Sequence, residues 1–83
     1  MKLVSYKIHD KINIGALKED FIVPFSNDPN IPNDMLSFLE AGKKIMTLAE
    51  DVVKKNQNII PTESCRLINP ILRPPKIIAI GLN

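Results

Sequence analysis

Chemistry at neutral pH needs a positioned acid or base, an activated nucleophile, converging metal ligands or a phosphate-binding loop. The chain holds one histidine, His9, and one cysteine, Cys65. His9 stands in "HDK", between two alternating apolar stretches. Polar residues gather at such hairpin turns, and no nucleophile accompanies it, so the turn reading prevails over a general base. Cys65 opens the apolar stretch "CRLINPIL". Free cysteines are commonly small core residues, and that reading prevails over a nucleophile. Glu19–Asp20 and Glu50–Asp51 are adjacent acid pairs. Neighbouring side chains on a strand or helix point different ways, so neither pair converges on a metal. Gly15 and Gly81 are isolated glycines rather than a phosphate loop. Gly81 follows an apolar run, where close backbone approach is possible, and that hints at a site built beyond Asn83. The residues up to that point define no catalytic set and no metal set.

The elements that would position a site follow from periodicity. In "KLVSYKI", Val4, Tyr6 and Ile8 alternate with Ser5 and Lys7. In "INIGAL", Ile12, Ile14 and Ala16 alternate in the same way. "FIVPF" follows a polar break at Lys18, Glu19 and Asp20, and Pro24 marks a strand end or an edge. Short apolar runs separated by polar turns predict a three-stranded antiparallel meander over 2–25. "SNDPNIPND" is a loop by composition. Asn33 or Asp34 can cap a first helix, about 34–41, that presents Met35, Leu36, Phe38 and Leu39. Gly42 is suited to end it in a left-handed conformation. A second helix is expected over 43–56, with Ile45, Leu48, Ala49, Val52 and Val53 as its stripe and Met46 beside it. Its paired lysines, Lys43–Lys44 and Lys54–Lys55, are diluted by Glu50 and Asp51, which favours docking on the sheet over lying on a membrane. "CRLINPIL" reads as a short strand broken by Pro70. "RPP" at 73–75 is a stiff connector. The fold class is α+β: a small antiparallel sheet covered by two short helices, then extended segments.

Composition excludes several classes. At 83 residues the chain makes one small domain, whose stability is marginal without outside help. A single cysteine rules out an internal disulfide and fits the cytoplasm. Net charge is +2 with acids and bases mixed, which lacks the basic patch that nucleic acid requires. No apolar run is long enough to span a membrane, and "MKLVSYKIHDK" lacks the apolar core of a signal peptide.

The last stretch, "KIIAIGLN", has a charge-free apolar run from Ile77 to Ile80. Such a run between Pro75 and Gly81 reads as a strand buried on both faces, and such a strand needs neighbours. Unpaired, it would drive the isolated chain to associate.

Taken in order, "MKLVSY", "INIGAL", "DMLSFLEAG" and "INPILRPPKIIAIGLN" resemble the N-terminal region of fumarylacetoacetate hydrolase family proteins. The most specific piece, "RPPKIIAIGLN", is similar to the entry from the small N-terminal domain into the catalytic domain. The resemblance implies an N-terminal domain over 1–72, and a connector plus the first strand of a β-rich catalytic domain over 73–83. In the family that strand continues with Tyr and then a His-x-x-Glu element. Carboxylates on later strands hold Mg²⁺ or Mn²⁺, which chelates the 2-oxo-acid end of the substrate. The resemblance therefore implies a metal-dependent hydrolase, isomerase or decarboxylase acting on 2-oxo or β-diketo acids. None of its ligands or bases maps onto this chain. Gly81, Leu82 and Asn83 are expected only at the edge of the substrate pocket. The implied partner is a catalytic domain, in the same or a separate chain, within a homo-oligomer. The alternative is a stand-alone module that pairs its C-terminal strand with another protein.

Overall fold

The computed structural model describes residues 1–73. The expected strand at Ile77–Ile80 and the expected pocket-edge residues Gly81, Leu82 and Asn83 lie outside the described residues.

Strands β1 (Lys2–Ile8) and β2 (Lys11–Leu17) form an antiparallel hairpin. His9 and Asp10 make its two-residue turn, at φ 50° and 62°. Two successive positive φ values match the twist of the flanking strands. Aspartate and histidine are among the non-glycine residues that tolerate this region best. The turn fixes the register at Ile8 opposite Lys11, and so Val4 falls opposite Gly15 and Leu3 opposite Ala16. Side chains alternate along a strand with period two. The register therefore sends Val4, Tyr6 and Ile8 to one face, and Ile12, Ile14 and Ala16 to the other. Each stripe is as the alternation predicts, but the two stripes face opposite ways, so the sheet has two apolar faces.

Strand β3 (Phe21–Pro24) pairs with β2, and it ends at buried Pro24. Helices α1 (Met35–Glu40) and α2 (Lys43–Lys55) follow. The Asp34 carboxylate caps α1, accepting from the Ser37 amide at 3.0 Å. Gly42, at φ 78° and ψ −155°, separates the helices as the N-cap of α2. That region of backbone space is essentially restricted to glycine. It is not the left-handed helix stop expected at this residue. The left-handed cap belongs instead to Asn56, at the end of α2.

The helices cover one face of the sheet. Beneath them Leu3, Ile14, Ala16, Val23 and Phe25 join Phe38, Met46, Ala49 and Val52 in one core. The rings of Phe25 and Phe38 stack at 5.0 Å, 8° from parallel. Such a pair contributes roughly 0.5–1.5 kcal/mol beyond its buried area. Met46, expected beside the stripe of α2, is itself buried in this core, whereas Leu36 is 68% exposed. Ile31, in the loop before α1, is buried in the same core, although loop composition gives no sign of it.

The chain returns to the sheet after α2. Strand β4 (Ile60–Pro61) pairs with β3, and β5 (Arg66–Leu72) pairs with β1. Among the described residues the expected three-stranded meander is part of a five-stranded sheet that also takes in the expected strand at "CRLINPIL", ordered β4-β3-β2-β1-β5. Pro70 does not break β5; the pairing with β1 shifts register between Ile68 and Leu72 instead. A proline lacks the amide that a regular ladder needs, and an edge strand accommodates it with a bulge. The two edge strands are joined by a three-residue 3-10 turn, Thr62–Ser64, and the extended Cys65. Four strand spacings would hold flat edges about 19 Å apart. The 3-10 turn rises about 6 Å and one extended residue adds about 3 Å. The sheet curls to meet this connection. Ile60 from one edge and Cys65 from the other pack against Val4, Tyr6 and Ile22 on the concave face.

Candidate functional site

His9 lies exposed in the β1–β2 turn, and backbone geometry accounts for its position. Asp20 is tied through its backbone: its carbonyl accepts from the Thr62 amide at 3.0 Å and from the Thr62 hydroxyl at 3.2 Å. Glu19, Asp20, Glu50 and Asp51 are all exposed. No group of three His, Cys, Asp or Glu side chains converges among the described residues. The described residues therefore do not fit a divalent-metal site, which needs several oxygen ligands in one place.

Cys65 and Tyr6 meet on the concave face. Tyr6 is buried, and its phenol is pushed above its ordinary range by burial and then by the neighbouring Cys65. Burial pushes the Cys65 thiol up as well. Its sulfur lies 3.7 Å from the Thr62 carbonyl oxygen. Cys65 is half-buried and packs against the small core of Val4, Tyr6 and Ile22.

Three open surfaces lie among the described residues. A depression of about 260 Å³ lies between the loop after β3 and α2, lined by Asp28, Leu48, Asp51 and Lys55. Its far rim is closed by Asn27, which donates to the Gln57 carbonyl at 2.8 Å and accepts from Asn58 at 3.0 Å. A second, of about 610 Å³, lies at the end of the sheet where Met1, Leu17 and Phe21 meet. The third, of about 400 Å³, lies at the hairpin end and is lined by Lys7, Ile12, Arg66, Leu67 and Ile68. Lys7 lies opposite Ile12 on β2 and opposite Arg66 on β5. Sequence reasoning missed this third surface. Lys7 and Arg66 are 59 positions apart, and only the pairing of β5 with β1 brings them together.

The whole chain aligns with a mitochondrial oxaloacetate tautomerase of Xenopus laevis, 39% identical over 88 positions that take in 28% of that relative. It aligns as fully with a fumarylacetoacetate hydrolase domain-containing protein 2 homolog of Dictyostelium discoideum, 41% identical over 92 positions and 29% of that relative. The chain belongs to the fumarylacetoacetate hydrolase family. A mitochondrial oxaloacetate tautomerase of Rattus norvegicus matches 68% of the chain at 34% identity. No protein-family model matches the chain, and no solved structure matches it. The chain spans under a third of the length of the family relatives it matches. Among the described residues no helix is long and apolar enough to cross a membrane. Within this family member, then, the described residues supply a folded α+β unit and open surfaces.

Proposed function

We propose that residues 1–72 form the non-catalytic N-terminal domain of a metal-dependent family enzyme, and that 73–83 lead into its catalytic domain. The observation that carries this reading is the match along the whole chain to relatives of which it spans under a third. The substrate class is a 2-oxo or β-diketo acid. Oxaloacetate stands in the printed names of the Xenopus and rat relatives and is the first substrate to test.

The cofactor of the complete enzyme, by family resemblance, is Mg²⁺ or Mn²⁺. As a Lewis acid it would stabilise negative charge developing on the substrate oxygen. Residues 1–73 offer it no converging ligands, so no step is assigned to them. Their role is to pack on the catalytic domain and to shape the substrate entrance or the subunit contact of a homo-oligomer. Gly81, Leu82 and Asn83 are placed at the pocket edge by the same resemblance. A stand-alone binding module has no specific observation in its favour. A lone free cysteine fits the cytoplasm. Two relatives are named as mitochondrial, so imaging of a tagged chain decides the compartment.

The test follows oxaloacetate tautomerisation by ultraviolet absorbance, with Mg²⁺ or Mn²⁺ added. The 83-residue chain alone is expected to leave the spontaneous rate unchanged. A longer protein extended with the source sequence that follows Asn83 is expected to show metal-dependent turnover. Turnover by the 83-residue chain alone refutes the non-catalytic reading. A following sequence with no Tyr and His-x-x-Glu element refutes the reading that 73–83 lead into a catalytic domain.

A further inference from the structure

The row Ile12–Lys7–Arg66 crosses three adjacent strands at the hairpin end of the sheet. It continues the face that carries Ile14 and Ala16, but beyond the cover of α1 and α2. Two features of it are unfavourable for the isolated fold. Ile12 is 59% exposed although Ile14, the next residue on that face of β2, is buried. Lys7 and Arg66 are directly opposite one another across the β1–β5 pair, and like charges so placed repel. No carboxylate lines this groove among the described residues. Its outer border among the described residues is the edge strand β5, whose Leu67 pairs with Tyr6 and so lies on the other face of the sheet.

A partner that relieves both features carries an aliphatic side chain for Ile12 and a carboxylate for the two cations. A second copy seated here across a twofold axis would set cation against cation, which disfavours self-docking at this row. We propose that this groove is where the catalytic body docks, through a segment in which aliphatic residues alternate with Asp or Glu. The inference rests on the reading of the chain as a domain of a larger enzyme, and it names the face and the chemistry of the contact. An extended segment fits best, because an edge strand offers backbone donors and acceptors along its open side.

The test is a nuclear magnetic resonance titration of the full 83-residue chain with a blocked peptide, Glu-Val-Glu-Ile-Glu-Val-Glu-Ile. The control peptide has every Glu replaced by Lys. The expected result is shifts centred on Lys7, Ile12, Arg66 and Leu67, with the acidic peptide preferred by roughly tenfold and the preference falling as salt rises. The double variant Lys7→Glu/Arg66→Glu keeps a like-charged pair of opposite sign, so its effect on folding is matched to the wild type. It is expected to reverse the preference toward the lysine peptide. Equal binding of both peptides, no binding at millimolar concentration, or shifts centred on the groove at Met1, Leu17 and Phe21 overturn the proposal. The readout involves no turnover, so a groove that binds while the longer protein is inactive sinks the enzyme reading alone. A groove that fails while the longer protein is active sinks the docking proposal alone.

Discussion

Gly15→Ala tests the curl of the sheet, because Gly15 sits on the concave face where β2 passes between β1 and β3. A Cβ built there would lie 2.6 Å from the Val23 carbonyl oxygen and 2.7 Å from Cγ2 of Ile22. Ordinary carbon–oxygen approaches begin near ~3.3 Å, so the Val23 carbonyl would have to retreat by roughly 0.7 Å. Ordinary carbon–carbon contacts begin near ~3.5 Å, so Ile22 would have to move about as far. Neither can move freely. Ile22 is completely buried, and the Val23 carbonyl belongs to a strand paired on both sides. Overpacking of this kind costs about 1–3 kcal/mol. A domain of this length is stable by about 4–12 kcal/mol in all, so the loss is a large share. Urea unfolding followed by circular dichroism should show a lower midpoint at an unchanged slope. The melting temperature should fall by roughly 4–8 °C for each kcal/mol lost. Adding Ile22→Ala removes one clashing atom but leaves the backbone oxygen, so it should not restore stability. A loss below about 0.5 kcal/mol, within the range of ordinary surface changes, or rescue by Ile22→Ala, would refute the reasoning that backbone closeness makes glycine necessary here.

Other expectations follow from the two cores and the titrating groups. Phe38→Ala removes the ring stacked on Phe25 and should cost about 3–5 kcal/mol, enough to leave much of the chain unfolded at 37 °C in a melting experiment. Cys65 should react slowly with a disulfide reagent at neutral pH in the native chain, and rapidly once urea unfolds it, because burial holds its thiol pKa up. The raised Tyr6 and Cys65 values have a further consequence, with the sign set by the neutral form being favoured in the folded state. Stability is full below the unfolded-state values and falls as pH rises through them, which alkaline melting curves should show and Tyr6→Phe should lessen. Asp34 has the opposite sign. The amide and hydroxyl of Ser37 hold its carboxyl below the usual range. Its contribution is therefore present above the ordinary carboxylate pKa and lost as pH falls through the folded value, and Asp34→Asn should flatten that part of an acid titration.

Much of the fold was legible in the sequence because it depends on local rules. Alternation of apolar and polar residues located β1 and β2. Pro24 marked a strand end or an edge, the cap of α1 was narrowed to Asn33 or Asp34, and the apolar stripe located α2 to within a residue of its observed end. The polar break at His9, Asp10 and Lys11 was legible too, but not that Lys11 belongs to the second strand. A three-residue break would set Ile8 opposite Ile12 and both stripes on one face. The observed two-residue turn sets Ile8 opposite Lys11 instead, so Val4 and Tyr6 face away from Ile14 and Ala16. The sequence also carried the family resemblance, because that lies in ordered residue types.

Only the tertiary structure decided where the late strands go. Pairing partners distant in sequence leave no periodic trace, so nothing in "CRLINPIL" says that it lies beside the first strand. That pairing, with the short turn joining β4 to β5, curls the sheet and makes Gly15 a point of close approach. It also sets Arg66 against Lys7 beside an exposed isoleucine. The physical reason is general: periodicity records which side of an element is buried, while the neighbour across the sheet is chosen by closure of the whole chain.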